Sequence, residues 1–271
     1  DGEYVYVGGE ELTSTDGGTV YATTDDEGNV TKLESAEGAT ITWNGETLTL
    51  NGATIKGNYE NGIVYRDGDL TIWLVGTNKI GEEYDGNSAA SGIHVDGSLT
   101  VEGGGTLDVV GLNSGISATF SGGTVNATAT ADSISDSAPM GIYAGSVTVD
   151  GGKVTAVAEG NKGYGIYTTG GVTVTKGSVT AEGKVNGIKT QGDVNISGGT
   201  VVAEGGNVGI WVTANQGFAI EITGGEVTVT GGFNVNVTIG PKIDTAITIE
   251  YGDSANDEDN IERVVYGGDS Y

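Results

Sequence analysis

The sequence predicts an all-β fold: a single-stranded, right-handed parallel β-helix, or β-solenoid, with three strands per coil, about 22–30 residues per coil, and a cap at each end. Three observations lead there. Gly fills 51 of 271 positions while Pro fills two, which excludes both a collagen-like triplet and a Pro-rich disordered chain. The pair Gly-Ile recurs at 62–63, 92–93, 115–116, 141–142, 165–166, 187–188 and 209–210, at spacings of 22 to 30 residues. Each recurrence belongs to a unit of three short stretches with period-two alternation, separated by Gly, Asn or Asp and too short for helices.

One such coil cannot bury its apolar face alone. Stacked coils share a continuous core, and each strand pairs with its equivalents above and below. Gly then marks corners, where positive φ or close backbone approach leaves no room for a Cβ.

In chain order, residues 1–40 lack the repeat and read as an N-terminal cap of short strands and turns, with a first coil over Ala39–Ile55. Coils occupy 41–240. After most Gly-Ile pairs comes an alternating triplet: Leu70-Thr71-Ile72, Leu99-Thr100-Val101, Val147-Thr148-Val149, Val172-Thr173-Val174 and Val194-Asn195-Ile196. A Gly-led second strand follows, as in Lys153-Val154-Thr155-Ala156 and Ser178-Val179-Thr180-Ala181. Ala144, Ala156, Ala181 and Ala203 are the small residues that fill a narrow interior. Residues 241–271 read as the last coil and its cap, so the whole chain, 1–271, is one domain. The open ends need covering because unpaired strand edges invite aggregation.

Composition narrows the partners. With 37 acidic and 11 basic residues the formal net charge is −26, which disfavours nucleic acid and anionic membrane surfaces. Cys is absent, so disulfides, thiolate metal sites and Cys nucleophiles are excluded. No apolar run reaches the length of a membrane span, and no membrane insertion is expected. The chain opens at Asp1 without Met, signal peptide or lipidation motif and reads as a mature or excised segment. These features suit a secreted or surface-attached bacterial protein that works as a monomer.

Side chains alternate along a strand, so if each Gly-Ile isoleucine points inward its successor points outward. That row is Val64, His94, Ser117, Tyr143, Tyr167, Lys189 and Trp211. Its aromatic rings on rungs about 4.8 Å apart form candidate platforms for sugar rings, with Lys189 and His94 offering hydrogen bonds or charge. The same pattern is expected if the rings only stabilise one another. A polar row, Asp96, Thr169, Gln191 and Thr213, flanks it. Trp73 is expected to lie under the segment Gly81–Ala90, and Tyr59, Tyr84 and Tyr164 fall in turns within reach of a ligand. Outward Thr71, Thr100, Thr148 and Thr173 form a partial ladder broken by Asn195 and Glu221, short of the two regular threonine files of an ice-binding face.

Material for catalysis is thin. His94 is the single histidine, and no Ser-His-Asp constellation can be placed around it. Calcium-dependent polysaccharide lyases hold the metal with an Asp cluster beside an Arg or Lys base; here only Arg66 and Arg263 are arginines, and neither falls on the aromatic row. Gly187-Ile188-Lys189-Thr190 is similar to the basic motif of pectin hydrolases but has Gly for their Arg and lacks their paired aspartates. The expectation is no enzymatic activity and no required cofactor. Calcium is the one metal for which oxygen ligands cluster: Asp67 and Asp69; Glu82, Glu83, Asp85 and Asn87; Asp253, Asp257, Asp259 and Asn260.

The stretches Leu48-Thr-Leu-Asn-Gly52, Asn61-Gly-Ile63, Asp69-Leu-Thr-Ile-Trp-Leu-Val-Gly-Thr-Asn78 and Ser98-Leu-Thr-Val-Glu-Gly-Gly-Gly-Thr-Leu107 resemble the carbohydrate-binding, pectate-lyase-like β-helix domains of clostridial and related surface proteins. The resemblance covers about residues 45–230. It implies binding to a polysaccharide such as polygalacturonate, and calcium at a doubled Asp before the Leu-Thr-Ile strand, here Asp67 and Asp69. The net charge of −26 would repel an anionic glycan unless calcium bridged the carboxylates, so a neutral plant cell-wall or host glycan is an equal expectation. The leading reading is thus a non-catalytic polysaccharide-binding module. The rivals are a structural stalk or adhesin solenoid that presents other domains or contacts a host surface, and a polysaccharide lyase or glycosidase.

Overall fold

The computed structural model describes residues 2–57, 62–81, 92–129, 138–213, 219–234, 237–239, 246–250 and 264–266. Among these the fold is all-β, without a helix. Short alternating stretches of Val, Ile, Leu and Thr, interrupted by Gly every few residues, cannot propagate a helix but fit a pleated ladder. They stack as three parallel sheets of a β-solenoid.

The Gly-Ile strands make the first sheet. Ile63–Tyr65 pairs with Ile93–Val95, and further on Met140–Val149, Tyr164–Thr168, Asn186–Thr190 and Val208–Val212 follow in parallel. Their aligned isoleucines, Ile63, Ile93, Ile142, Ile166, Ile188 and Ile210, are all fully buried. The second sheet carries the Leu-Thr-Ile triplets and the third the Gly-led strands, the latter lined inside by Val125, Val154, Val179 and Val201 and by Ala127, Ala156, Ala181 and Ala203. The expected inward alanines, Ala144 included, have no exposed surface. Alanine beside isoleucine and valine is what a narrow triangular interior accepts at native packing density.

The third coil departs from the expected register. Ile93 is aligned with Leu112, which is in turn aligned with Ile142. Gly115-Ile116 therefore falls at the corner, where the register shifts between Ser114 and Ser117, and Ser117 pairs with Ser146 in the second sheet. The rung position expected for Ser117 belongs to Asn113, aligned with His94 and Tyr143. Gly111-Leu112-Asn113-Ser114 repeats the order of Gly141-Ile142-Tyr143-Ala144 with Leu for Ile, and the two stretches share one register.

At the N-terminal end the pairing turns antiparallel. Glu3–Val7 pairs with Glu10–Ser14 and closes the edge of the first sheet through Tyr6 and Val7, opposite Val64 and Ile63. Val20–Thr24 pairs with Val30–Leu33 and Ile41–Trp43, and Ile41–Trp43 pairs with Thr47–Asn51, which then joins the parallel second sheet beside Leu70–Val75. Parallel stacking thus begins with Thr47–Asn51. Trp43, fully buried, plugs the end of the core, with its indole N–H donating to the Glu3 carbonyl at 3.0 Å and its ring edge-on to Tyr65 at 5.7 Å. At the other end Ala246–Glu250 and Val264–Tyr266 continue the parallel stack.

Candidate functional site

Backbone geometry places the outward row. Tyr143, Tyr167, Lys189 and Trp211 occupy one register line on four consecutive strands of the first sheet, and all four side chains are half-buried. The glycine of each Gly-Ile pair sets the depth of the line. A Cβ on Gly187 would sit 2.7 Å from the Ala181 carbonyl oxygen and 2.7 Å from the Glu204 amide nitrogen, so only glycine lets this strand press against the third sheet.

The rings meet one another. Tyr143 and Tyr167 lie 5.6 Å apart at 22° between planes, and Tyr164 and Tyr167 lie 5.8 Å apart at 30°. Nearly parallel rings at that distance are too close to lie side by side in one plane, so they form offset stacks with overlapping faces. Tyr164, expected in a turn, starts the strand Tyr164–Thr168 and joins the stack from the position before Gly165. Lys189 Nζ sits 4.5 Å from the Tyr164 ring centroid and 5.6 Å from that of Tyr167, and donates to Tyr164 Oη at 3.2 Å. The ammonium thus rests on the negative ring faces.

The flanking row is built by the corner after each strand. Buried Thr190 accepts the Gly192 N–H on its hydroxyl at 3.0 Å, and its carbonyl accepts the Thr213 N–H at 3.0 Å. This fixes the turn that carries Gln191, whose Nε2 donates to Tyr167 Oη at 2.6 Å. Thr169 and Gln191 are exposed and Thr213 is half-buried. The result is a patch of three phenols, one indole, one ammonium and a rim of amide and hydroxyl groups, with no carboxylate among its ring and cation contacts.

The other expected residues lie elsewhere. His94 stands two rungs before Tyr143 on the same line, separated by Asn113, and its Nε2 is 2.8 Å from Asp96 Oδ1 with both side chains partly exposed. Trp73 is not covered: it is 44% exposed on the outside of the second sheet, with Val75 beside it at 40%. The partial threonine ladder is longer than expected, since Thr47 and Thr119 complete an unbroken file with Thr71, Thr100, Thr148 and Thr173 before Asn195 and Glu221 interrupt it.

Asp67 and Asp69 are exposed in the turn between Ile63–Tyr65 and Leu70–Val75. Asp69 Oδ1 accepts the Ser98 N–H at 2.8 Å, tying one coil to the next. Asp67 faces Tyr4 of the N-terminal hairpin, and its charge, followed by burial and a hydrogen bond from the phenol, raises Tyr4 above its ordinary value. Among the described residues no group of three or more His, Asp or Glu is arranged to hold a metal. Asp67 thus contacts the cap and Asp69 the next coil, and calcium, which takes six to eight oxygens, would need further ligands beside these two. The other two acidic clusters, at 82–87 and 253–260, and Tyr59 and Tyr84 lie outside the described residues.

Searches of protein-family models, of curated proteins and of solved structures return no match to this chain.

Proposed function

We propose that the chain is a non-catalytic polysaccharide-binding module of a secreted or cell-surface bacterial protein, working as a monomer and needing no metal. The observation that carries this reading is the patch on four consecutive rungs, where Tyr143, Tyr164, Tyr167 and Lys189 are half-exposed and held by one another and half-exposed Trp211 follows Lys189 on the same line. Rings fixed in advance lose little freedom when a ligand settles, so their contact area converts efficiently into affinity. Because the tyrosine faces overlap, a sugar chain meets their edges and hydroxyls, hydrogen-bonds the Gln191 rim, and stacks on the indole of Trp211 at the end of the line. The resemblance of residues 45–230 to carbohydrate-binding β-helix domains supports the same reading.

Affinity gel electrophoresis through plant cell-wall polysaccharides and host glycans tests it. At least one polysaccharide retards the protein, and simultaneous replacement of Tyr143, Tyr167 and Trp211 by Ala abolishes the retardation; unchanged retardation in that variant removes this site.

One observation favours a second reading. Overlapping tyrosine faces are also what a rigid spacer would use to stiffen its own ladder, and a stalk or adhesin solenoid that binds no saccharide follows from it. Under that reading the triple variant loses stability and nothing else.

A further inference from the structure

We infer that the polysaccharide bound at the tyrosine line is uncharged, an inference that rests on the polysaccharide-binding reading and narrows its substrate class. A uronate carboxylate is best received by a basic side chain, and the two on this line, Lys189 and His94, are already engaged with neighbouring groups. Lys189 Nζ is hydrogen-bonded to Tyr164 Oη at 3.2 Å and lies over two ring faces, at 4.5 Å and 5.6 Å from their centroids. One of its three N–H groups is given to Tyr164 Oη, and a carboxylate taken by the others would form only an exposed ion pair, worth at most about 1 kcal/mol. His94, two rungs before Tyr143, is held 2.8 Å from Asp96 Oδ1, so a carboxylate already occupies its Nε2 side.

The remaining polar groups suit hydroxyls. Gln191 offers a carboxamide that both donates and accepts, and Tyr167 Oη, which already accepts from Gln191 at 2.6 Å, keeps a hydroxyl proton of its own. Thr169 and Thr213 add hydroxyls on either side of Gln191 along the rim. Donors and acceptors in balanced supply match sugar hydroxyls, which are themselves both. A chain of net charge −26 adds a long-range penalty for every carboxylate on the ligand, felt most at low salt.

The experiment is affinity electrophoresis of the full chain in EDTA through gels of mixed-linkage β-glucan, xyloglucan, galactomannan and polygalacturonate, each at about 50 mM and about 500 mM salt, the range over which exposed charges become screened. We expect retardation by at least one of the three neutral polymers, nearly equal at the two salt concentrations, and none by polygalacturonate. Retardation by polygalacturonate in EDTA overturns the inference while leaving polysaccharide binding intact. Absence of retardation in all four gels overturns both, and polygalacturonate retardation that appears only when calcium replaces EDTA overturns the inference by supplying the bridging cation it leaves out.

Discussion

Two outward files on neighbouring sheets overlap on the coils of Tyr143 and Tyr167, beside Thr148 and Thr173, and make opposite use of the same backbone. On the first sheet Tyr143, Tyr167, Lys189 and Trp211 differ from rung to rung, and the first three touch through their side chains; on the second, Thr47, Thr71, Thr100, Thr119, Thr148 and Thr173 repeat without a break. Backbone spacing and pairing are the same in both. The threonine file is what β-propensity alone provides, a β-branched residue fitting a pleated, half-exposed surface. The tyrosine file departs from that minimum and accumulates ring area, charge and amide groups at one place, which is why function is assigned to it.

The sharpest way to break this comparison acts beneath the tyrosine file. Gly187→Ala forces a Cβ against fixed backbone atoms of three neighbouring strands and is expected to cost about 3 kcal/mol of unfolding free energy. Gly104→Ala, in a corner with open space around it, should stay within about 0.5 kcal/mol. Chemical denaturation measures both, and equal costs would mean that the glycine pattern does not set the depth of the first sheet.

Next in size is the file itself. Tyr167→Ala removes two stacking partners and one ammonium contact and should destabilise by about 1–1.5 kcal/mol, while Thr148→Val on the neighbouring file stays within about 0.5 kcal/mol. In binding assays the same pair separates further: Tyr167→Ala weakens retardation by the neutral polymers by about tenfold, the loss of about 1.4 kcal/mol, and Thr148→Val leaves it unchanged. Weakening by Thr148→Val would move the ligand to the second sheet.

The smallest effect is expected where the two sheets are closed differently. The first sheet ends on the hairpin strand Glu3–Val7, whose Tyr4 is raised above 10.0 by the Asp67 charge and hydrogen bond, and whose Tyr6 is raised chiefly by its hydrogen bond to Glu11, at 2.9 Å. A phenol that binds its proton more tightly when folded stabilises the hairpin fully below its unfolded value and loses that contribution as pH climbs through the raised one. At the alkaline end the cap contact therefore weakens as pH climbs above 10. Titration of phenolate absorbance should show one tyrosine shifting back toward 10 in Asp67→Asn; an identical titration curve would show that Tyr4 and Asp67 do not interact.

Much of this was written in the chain. Glycine spacing, period-two triplets and the Gly-Ile repeat determined a parallel solenoid, its inward isoleucines and alanines, and the outward line of Tyr143, Tyr167, Lys189 and Trp211, because alternation along a strand is a local property. Three-dimensional packing decided the rest. The third coil takes Leu112 rather than Ile116 into register, since any aliphatic residue after a glycine satisfies the core and only pairing with both neighbouring rungs selects one. Asp69 holds Ser98 of the next coil, a contact across 29 residues of chain that only stacking creates. Tyr164 entered the stack from a neighbouring position, and the tyrosine faces turned toward one another rather than outward. Sequence order sets which way a side chain leaves the sheet; how rings tilt about their rotamers is settled by the neighbours that stacking brings within reach.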